Sequence, residues 1–308
     1  MMKKRAFVPV VVIVFLLLPL AAFAQAFSPM VSTDWLQQNL GNPNLIILDI
    51  RKVEDYRSGH IPGAISAFYG MWATKRGDLD NQIPPDDELV DALSSAGISP
   101  DSVVVVAGIT ESGPDRVNTA RVAWTLKYAG VETVGVLNGG YTKWSIREKR
   151  PLSADFVRPK AKPYKGKFNK NLLATKDYVA SRMGKALIVD VREPDFFNGK
   201  NKLPFVPKAG RIAGAVNLPT AQVFDKYPPG EHLETCCYTF KDTPQLKNMA
   251  SGVVGSDLSR EIIVYCDTGR VASAWWFILH EVLGYRNARN YDGSMQEWSK
   301  DPNAKVEP

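Results

Sequence analysis

The chain has 308 residues, of which 45% are hydrophobic and three are cysteines, and its formal net charge is +6. The length suits two domains of ordinary size that each bury a core. A charge this small gives no argument for a protein that binds nucleic acid. Three cysteines exclude a disulfide framework, so core packing must hold the fold.

The first residues indicate export. Basic residues at 3–5 precede an apolar run at 7–23, and Ala-Phe-Ala at 22–24 has the small-x-small pattern of a signal-peptidase site. We expect residues 1–24 to be a signal peptide, cleaved to leave residues 25–308 with a charge of +3 (+6 minus three) in the periplasm. An uncleaved membrane anchor is the alternative, but two prolines interrupt the apolar run.

The first half of the mature chain alternates strand and helix patterns. An apolar run at 45–49 leads into the motif D-x-R, and the turn sequence GHIPGA follows at 59–64. A second apolar run at 103–106 precedes a helical pattern at 119–128. This alternation predicts a parallel sheet that is covered by helices on both faces.

The second half repeats the same series. LIVDVR at 187–192 corresponds to LIILDIR at 45–51, and GRIAGA at 210–215 corresponds to GHIPGA. The repeat predicts an α/β protein with two similar domains, each a parallel sheet flanked by helices. We predict a Pro- and Lys-rich linker between them, which gives a domain at 25–149, the linker at 150–171 and a domain at 172–308.

Cys266 directly follows the apolar run at 262–265, and the loop Asp267-Thr268-Gly269-Arg270-Val271 leads into an apolar helix that begins near Ala272. A cysteine between a buried strand and a helix lies beneath free backbone N–H groups and the positive end of the helix dipole. Both favour an anion and stabilise a thiolate. Gly269 permits the unusual dihedral angles of such a loop. The pattern predicts a nucleophilic sulfur, whereas the alternative is a cysteine that only fills the core.

Together, this loop of the form C-x-x-G-x-x and the two D-x-R motifs resemble the tandem-domain rhodaneses, which include thiosulfate and 3-mercaptopyruvate sulfurtransferases. The resemblance covers nearly all of the mature chain. It is weaker in the second turn, where Arg211 and Ala213 replace His and Pro. It implies a persulfide on Cys266 and a non-catalytic first domain. We expect Asp49 and Asp190 to hold the turns by hydrogen bonding.

The first half lacks a cysteine in the segment that corresponds to the loop. Its segment at 107–116 contains none, and from strand to helix it is five residues longer than its counterpart. A longer loop is expected to be unable to form the same small cradle. We therefore expect this domain to be a structural partner that supplies one wall of the cleft.

The reaction implied by the resemblance is a double displacement on sulfur. Cys266 attacks the outer sulfur of an anionic donor, and the persulfide then passes its sulfur to cyanide, a thiol or a thiol protein, without a cofactor or a metal. The backbone amides of the loop are expected to stabilise thiolate and persulfide. The candidate substrate-binding residues are Asp267, Thr268, Gly269, Arg270, Val271, Ala272 and Arg192.

Two arginines could orient the donor. Arg270 is the first candidate because it lies in the loop, although a solvent-facing charge is the alternative. Arg192 resembles a substrate-binding arginine of the family in position, and a salt bridge within its own domain is the alternative. Thiosulfate is the donor that we favour and 3-mercaptopyruvate is the alternative. Asp267 should repel a dianion unless it pairs with Arg270 or points outward.

Other functions are compatible with the same cysteine. A persulfide carrier without turnover would use Cys266 in the same way. A phosphatase of the Cdc25 type, or an arsenate reductase, would need an arginine where Ala272 stands. Cys236 and Cys237 are adjacent and lack metal-ligand spacing. They could form a strained disulfide, resolve the persulfide, or be incidental thiols.

Overall fold

A computed structural model describes residues 27–226 and 237–308. The signal peptide expected at 1–24 and Cys236 lie outside these residues. Every helix within them is too short or too polar to span a lipid bilayer.

Two parallel five-stranded sheets form the centres of the two domains. The strands of the first domain are β1 Met30–Val31, β2 Leu45–Asp49, β3 Ile65–Ser66, β4 Thr74–Arg76, β5 Leu79–Gln82, β6 Val103–Ala107 and β7 Thr133–Leu137. Those of the second are β8 Leu173–Ala174, β9 Leu187–Asp190, β10 Arg211–Ile212, β11 Val216–Asn217, β12 Phe224–Lys226, β13 Tyr238–Phe240, β14 Ile262–Tyr265, β15 Ala288–Tyr291 and β16 Val306–Glu307.

Helices cover the sheets. They are α1 Thr33–Asn39, α2 Val53–Ser58, α3 Asp86–Ser95, α4 Gly113–Ala129, α5 Gly140–Thr142, α6 Lys176–Arg182, α7 Pro194–Phe197, α8 Thr243–Val254, α9 Ala272–Phe277 and α10 Ser294–Trp298. Short 3-10 turns lie at Tyr69–Met71, Lys170–Leu172 and Thr220–Val223. π-helical turns continue α5 at Lys143–Arg147 and α9 at Ile278–Val282.

The strand orders show that the two domains are copies of one topology. The first sheet has the order β1-β7-β6-β2-β3, and the second has the equivalent order β8-β15-β14-β9-β11. In the central pairs Leu45 lies opposite Val103, and Leu187 lies opposite Ile262. The predicted pair of similar α/β domains is confirmed.

The predicted strand before Cys266 is the buried central strand of its sheet. Every residue of β14 is buried, because β9 and β15 flank it and helices cover both faces. Apolar, β-branched residues suit a strand with no solvent-facing side. The carboxyl end of β14 therefore points its next residue, Cys266, at the edge of the sheet where ligands bind in open α/β folds.

The first half is longer in its helix and not in the loop before it, so the prediction of a longer loop is wrong. Residues 108–112 connect β6 to α4, whereas residues 266–271 connect β14 to α9. Helix α4 has 17 residues. It begins early because Ser112 and Asp115 form a capping box and Pro114 stands in the first turn.

The two domains share a continuous core in which α4 packs against α9. The β4–β5 hairpin of the first domain contacts the second, and β13 of the second contacts the first. The segment predicted as a linker contacts the first domain, where Tyr164 donates a hydrogen bond to the Ala129 carbonyl at 2.7 Å. The packing of the two domains against each other brings side chains of the first domain to the loop that contains Cys266.

Candidate active site

The Cys266 sulfur lies in a ring of backbone amides. The N–H groups of Thr268, Val271 and Ala272 donate hydrogen bonds to it. The main chain is fixed as well, since Met295 donates its N–H to the Cys266 carbonyl at 3.1 Å. The residue is only 1% exposed, yet it borders a cavity between the domains. Three of the amides expected from the loop sequence therefore face the sulfur.

The segment after β15 sets the shape of this loop. Gly269 has φ +70°, and a Cβ there would lie 2.5 Å from the Asp292 carbonyl oxygen. The Ser294 hydroxyl accepts hydrogen bonds from the N–H of Cys266 at 3.0 Å and of Gly269 at 2.9 Å. It donates its own proton to the Tyr291 carbonyl at 2.7 Å. One hydroxyl thus ties both ends of the turn to the neighbouring strand.

Arg192 is held by two carboxylates. Its guanidinium contacts Asp190 at 2.6 Å and Asp267 at 3.2 Å, and it donates to the Gly210 carbonyl at 2.7 Å. The salt bridge within the domain, one of two expectations for this arginine, is present. Asp267 pairs with Arg192 instead of Arg270. Asp190 was expected to hold the turn by hydrogen bonding. It does so indirectly, because Arg192 binds both the Asp190 carboxylate and the carbonyl of Gly210 in the turn.

Arg270 and Thr268 contact the first domain. The Arg270 Nε donates to the Asn118 Oδ1 at 2.8 Å, and its guanidinium lies 5.2 Å from the centre of the Tyr69 ring. The Thr268 hydroxyl accepts a hydrogen bond from Asn81 at 3.2 Å. The first domain therefore forms one wall of the site, as the sequence predicted.

The pKa of the Cys266 thiol lies above its ordinary value of 9.0. Burial raises this pKa most and the Asp267 carboxylate raises it further, while the three amide hydrogen bonds lower it. Burial and then Asp190 also raise the pKa of the Asp267 carboxyl, and Arg192 lowers it. The amides lower the pKa of the thiol, as the loop sequence led us to expect, but desolvation and the neighbouring carboxylate raise it by more.

A cavity of about 700 Å³ lies beside the sulfur, between the two domains. Residues of the loop line it together with Arg192. The first domain contributes Lys75, Asn81 and Arg116, and an apolar wall consists of Phe196, Leu203, Phe205 and Phe224. In the described parts of the chain no cluster of three potential metal ligands occurs.

A buried ion pair that the sequence did not reveal crosses the interface next to the loop. Asp292 binds the guanidinium of Arg121, which is fully buried on α4. The same carboxylate accepts a hydrogen bond from the Ile83 N–H at 2.6 Å. No pattern within one domain could identify this pair, because its partners are 171 positions apart.

Cys237 is fully buried immediately before β13. Its neighbour Cys236 lies outside the described residues. The role of this pair therefore stays a prediction.

A family model for the rhodanese-like domain matches residues 32–147 and 175–301. A protein of Mycolicibacterium smegmatis, provisionally named a thiosulfate sulfurtransferase, is 33% identical over 90% of this chain and 97% of its own length. The sulfur carrier protein TtuD of Thermus thermophilus is 32% identical over 87% of this chain and 93% of its own length.

Solved structures show the same fold. The structure of EanB has a TM-score of 0.76 at 23% identity and covers 91% of this chain and 69% of its own. The anaerobic ergothioneine biosynthesis enzyme of Chlorobium limicola, in complex with trimethyl histidine, has a TM-score of 0.75 at 21% identity, over 91% of this chain and 70% of its own. With both halves matched by the same domain model, the chain belongs to the rhodanese family and contains two rhodanese-like domains in tandem.

Proposed function

We propose that the protein is a sulfurtransferase that carries sulfane sulfur as a persulfide on Cys266, from thiosulfate to cyanide or a thiol. The main support is the position of the Cys266 sulfur, which accepts three backbone hydrogen bonds and borders the cavity between the domains. Among the described residues, Cys266 is the one cysteine that lines this cavity. Family membership and the relatives named for sulfur transfer agree with it.

Loading of Cys266 is a substitution at sulfur. The thiolate forms a bond to the outer sulfur of thiosulfate, the sulfur–sulfur bond of the donor breaks, and sulfite leaves with the electron pair. The thiol must lose its proton first; burial and the Asp267 carboxylate oppose this loss, and the three amides favour it. Arg192 and Arg270 line the cavity. Asp190 and Asp267 offset the charge of Arg192, so Arg270 is the one of the two that supplies positive potential for the anionic donor.

The amides that surround the sulfur have a second role after loading. The outer sulfur of the persulfide carries negative charge, which the N–H groups of Thr268, Val271 and Ala272 stabilise without reorganising. The acceptor then bonds to this outer sulfur, and Cys266 leaves as the thiolate. No sulfur or electron is gained or lost over the cycle.

A carrier without turnover is a second candidate, favoured by the similarity to TtuD along 93% of that protein. 3-Mercaptopyruvate is the alternative donor. It is favoured by the Asp267 carboxylate beside the thiol, because a neighbouring negative charge repels a monoanion less than a dianion.

The test combines mass and turnover. The purified protein is incubated with thiosulfate or 3-mercaptopyruvate, and the peptide that contains Cys266 is examined for one added sulfur atom. Steady release of thiocyanate with cyanide supports the enzyme, and loading without turnover supports the carrier. Absence of loading with both donors, or hydrolysis of phosphate esters instead, would overturn the proposal.

We also propose that residues 1–24 are a cleaved signal peptide and that the protein is exported to the periplasm. The basic start, the apolar run and the Ala-Phe-Ala pattern support this. Sequencing the amino terminus of the protein from periplasmic extracts should give Gln25 as the first residue. An uncut chain in the membrane fraction would contradict the proposal.

A further inference from the structure

The cavity beside Cys266 is larger than the proposed small substrates require. Its volume of about 700 Å³ lies within the range of sites that enclose organic ligands of drug size. Thiosulfate and cyanide have only a few heavy atoms. Both candidate donors are small anions, so the additional space points to the molecule that receives the sulfur.

Part of the cavity lining is apolar and aromatic. Phe196, Leu203, Phe205 and Phe224 line it, and Phe205 is 42% exposed. Covering exposed aromatic surface inside a concave site with a ligand removes that surface from water, which favours binding. A hydrated inorganic anion has no apolar surface that could cover these side chains, whereas the apolar part of an organic molecule does.

Among the described residues, Arg116 and Arg270 are the cations of the cavity without a carboxylate partner within salt-bridge distance, and Arg270 is already hydrogen-bonded to the first domain. Arg192 is bound by two aspartates, Arg270 by Asn118, and Lys75 lies 3.8 Å from Asp80. The Arg116 guanidinium lies 3.2 Å from the centre of the Tyr238 ring.

The Nε of Arg116 is buried and has no hydrogen-bond partner within residues 27–226 and 237–308. A half-buried guanidinium in this condition favours an anion, most of all a carboxylate that can accept two hydrogen bonds. The arginine belongs to α4 of the first domain, so this part of the site comes from the half without a cysteine.

We propose that the acceptor is an organic thiol with an aromatic or similar apolar body and a carboxylate. The body lies against Phe196, Phe205 and Phe224, and the carboxylate binds Arg116. The inference rests on the proposed function and names its acceptor. In the transfer, the acceptor thiolate forms a bond to the outer sulfur of the Cys266 persulfide and becomes a persulfide itself. The bond between the two sulfurs on Cys266 breaks, and the cysteine leaves as a thiolate.

Three alkyl thiols test the proposal: para-(mercaptomethyl)benzoate, benzyl mercaptan and beta-mercaptoethanol. The protein is loaded with thiosulfate, loading is verified by mass, and the second-order rate of sulfur loss to each thiol is measured. We expect benzyl mercaptan to react about tenfold faster than beta-mercaptoethanol because it covers the aromatic wall. The added carboxylate should give about another tenfold.

Variants assign each preference to its side chain. Arg116→Gln should remove the advantage of the carboxylate over benzyl mercaptan, and Phe205→Ala should reduce the advantage of benzyl mercaptan over beta-mercaptoethanol. The matched controls lie outside the cavity lining. They are Arg286→Gln at an exposed arginine and Phe156→Ala at a phenylalanine that is 72% exposed, and both should keep the two ratios.

The outcomes separate this inference from the function on which it rests. A protein that does not load Cys266 would sink both proposals. A protein that loads but reacts equally with the three thiols would overturn only the choice of acceptor. Retention of the carboxylate preference in a folded Arg116→Gln variant, verified by circular dichroism, would remove Arg116 from the site.

Discussion

The D-x-R motif forms the same clamp in both domains, although one domain has a cysteine at its loop and the other does not. Arg51 binds Asp49 at 2.6 Å and the Gly59 carbonyl at 2.8 Å. Arg192 makes the equivalent contacts with its own aspartate and turn glycine. The motif therefore joins strand to turn and does not by itself mark a reactive site.

The environments of the two arginines differ beyond this clamp. Arg192 extends to Asp267 in the loop after β14, whereas Arg51 lies 3.3 Å from the centre of the Tyr141 ring. In the second domain the arginine of the D-x-R motif therefore also binds the loop that contains Cys266. In the first domain an aromatic ring covers the same guanidinium.

The segments after the last central strand differ in a similar way. Asn138 accepts a hydrogen bond from Phe240 N–H of the other domain at 2.8 Å, and Asp292 accepts one from Ile83 N–H at 2.6 Å. The second domain adds a charge that binds Arg121 and the hydroxyl of Ser294. Two polar additions therefore distinguish the half with the sulfur from the half without it.

The largest expected effect is the removal of the sulfur itself. Cys266→Ser should make the second domain as inert as the first and abolish loading by thiosulfate, because the weakly acidic hydroxyl is a poor nucleophile without a base. The free energy of unfolding should change by less than about 1 kcal/mol, since the volume is nearly conserved. Mass analysis and urea unfolding measure the two effects. Retained loading would move the chemistry to Cys236 or Cys237.

The next effect concerns the charge that distinguishes Asp292 from Asn138. Asp292→Asn leaves the fully buried Arg121 guanidinium without its counter-ion, which should lower the free energy of unfolding by about 3–5 kcal/mol. Adding Arg121→Met should recover part of the loss. Urea unfolding measures both variants, and equal stability of Asp292→Asn and the parent would show that the pair has no structural importance.

Ser294→Gly reproduces the residue of the first domain at the equivalent position. Ser294 has φ +48° and Gly140 has φ +62°, so the backbone tolerates the change. Loss of the hydroxyl leaves the buried N–H groups of Cys266 and Gly269 without their acceptor, which should cost about 1–3 kcal/mol. Loading should slow about tenfold as the loop loosens. A parental loading rate would mean that the amide ring keeps its shape without this serine.

The smallest effect is on the pH dependence of loading. Burial and Asp267 raise the pKa of the Cys266 thiol above its ordinary value of 9.0, so the fraction of thiolate, and with it the loading rate, should rise with pH through the alkaline range. Asp267→Asn removes a negative neighbour that raises this pKa, so the midpoint should move to lower pH. Stopped-flow loading against pH measures both midpoints. A parental midpoint well below 9.0, or an upward movement in the variant, would contradict the assignment.

Features that lie within one domain could be predicted from the sequence. The buried strand before Cys266, its amide ring and the repeated parallel sheets follow from apolar runs, one glycine and the strand-to-helix order. Contacts between the domains could not be predicted, because Thr268 and Asn81 are 187 positions apart. The direction of the thiol pKa was missed because the loop sequence reveals the amides but not the burial of the sulfur. The longer helix of the first half was missed because the cap at Ser112 starts it early.

The contact of Asp292 with both domains has a consequence for any attempt to isolate the reactive half. Its carboxylate meets Ile83 and Arg121 of the first domain, while its backbone presses on Gly269 beside the sulfur. Excision of residues 172–308 would expose that carboxylate to water and remove the two first-domain groups that hold Asp292 in place next to Gly269. The domain without a cysteine thus supports the domain that contains Cys266. A shortened gene that lacks the first domain would encode a Cys266 loop without that support.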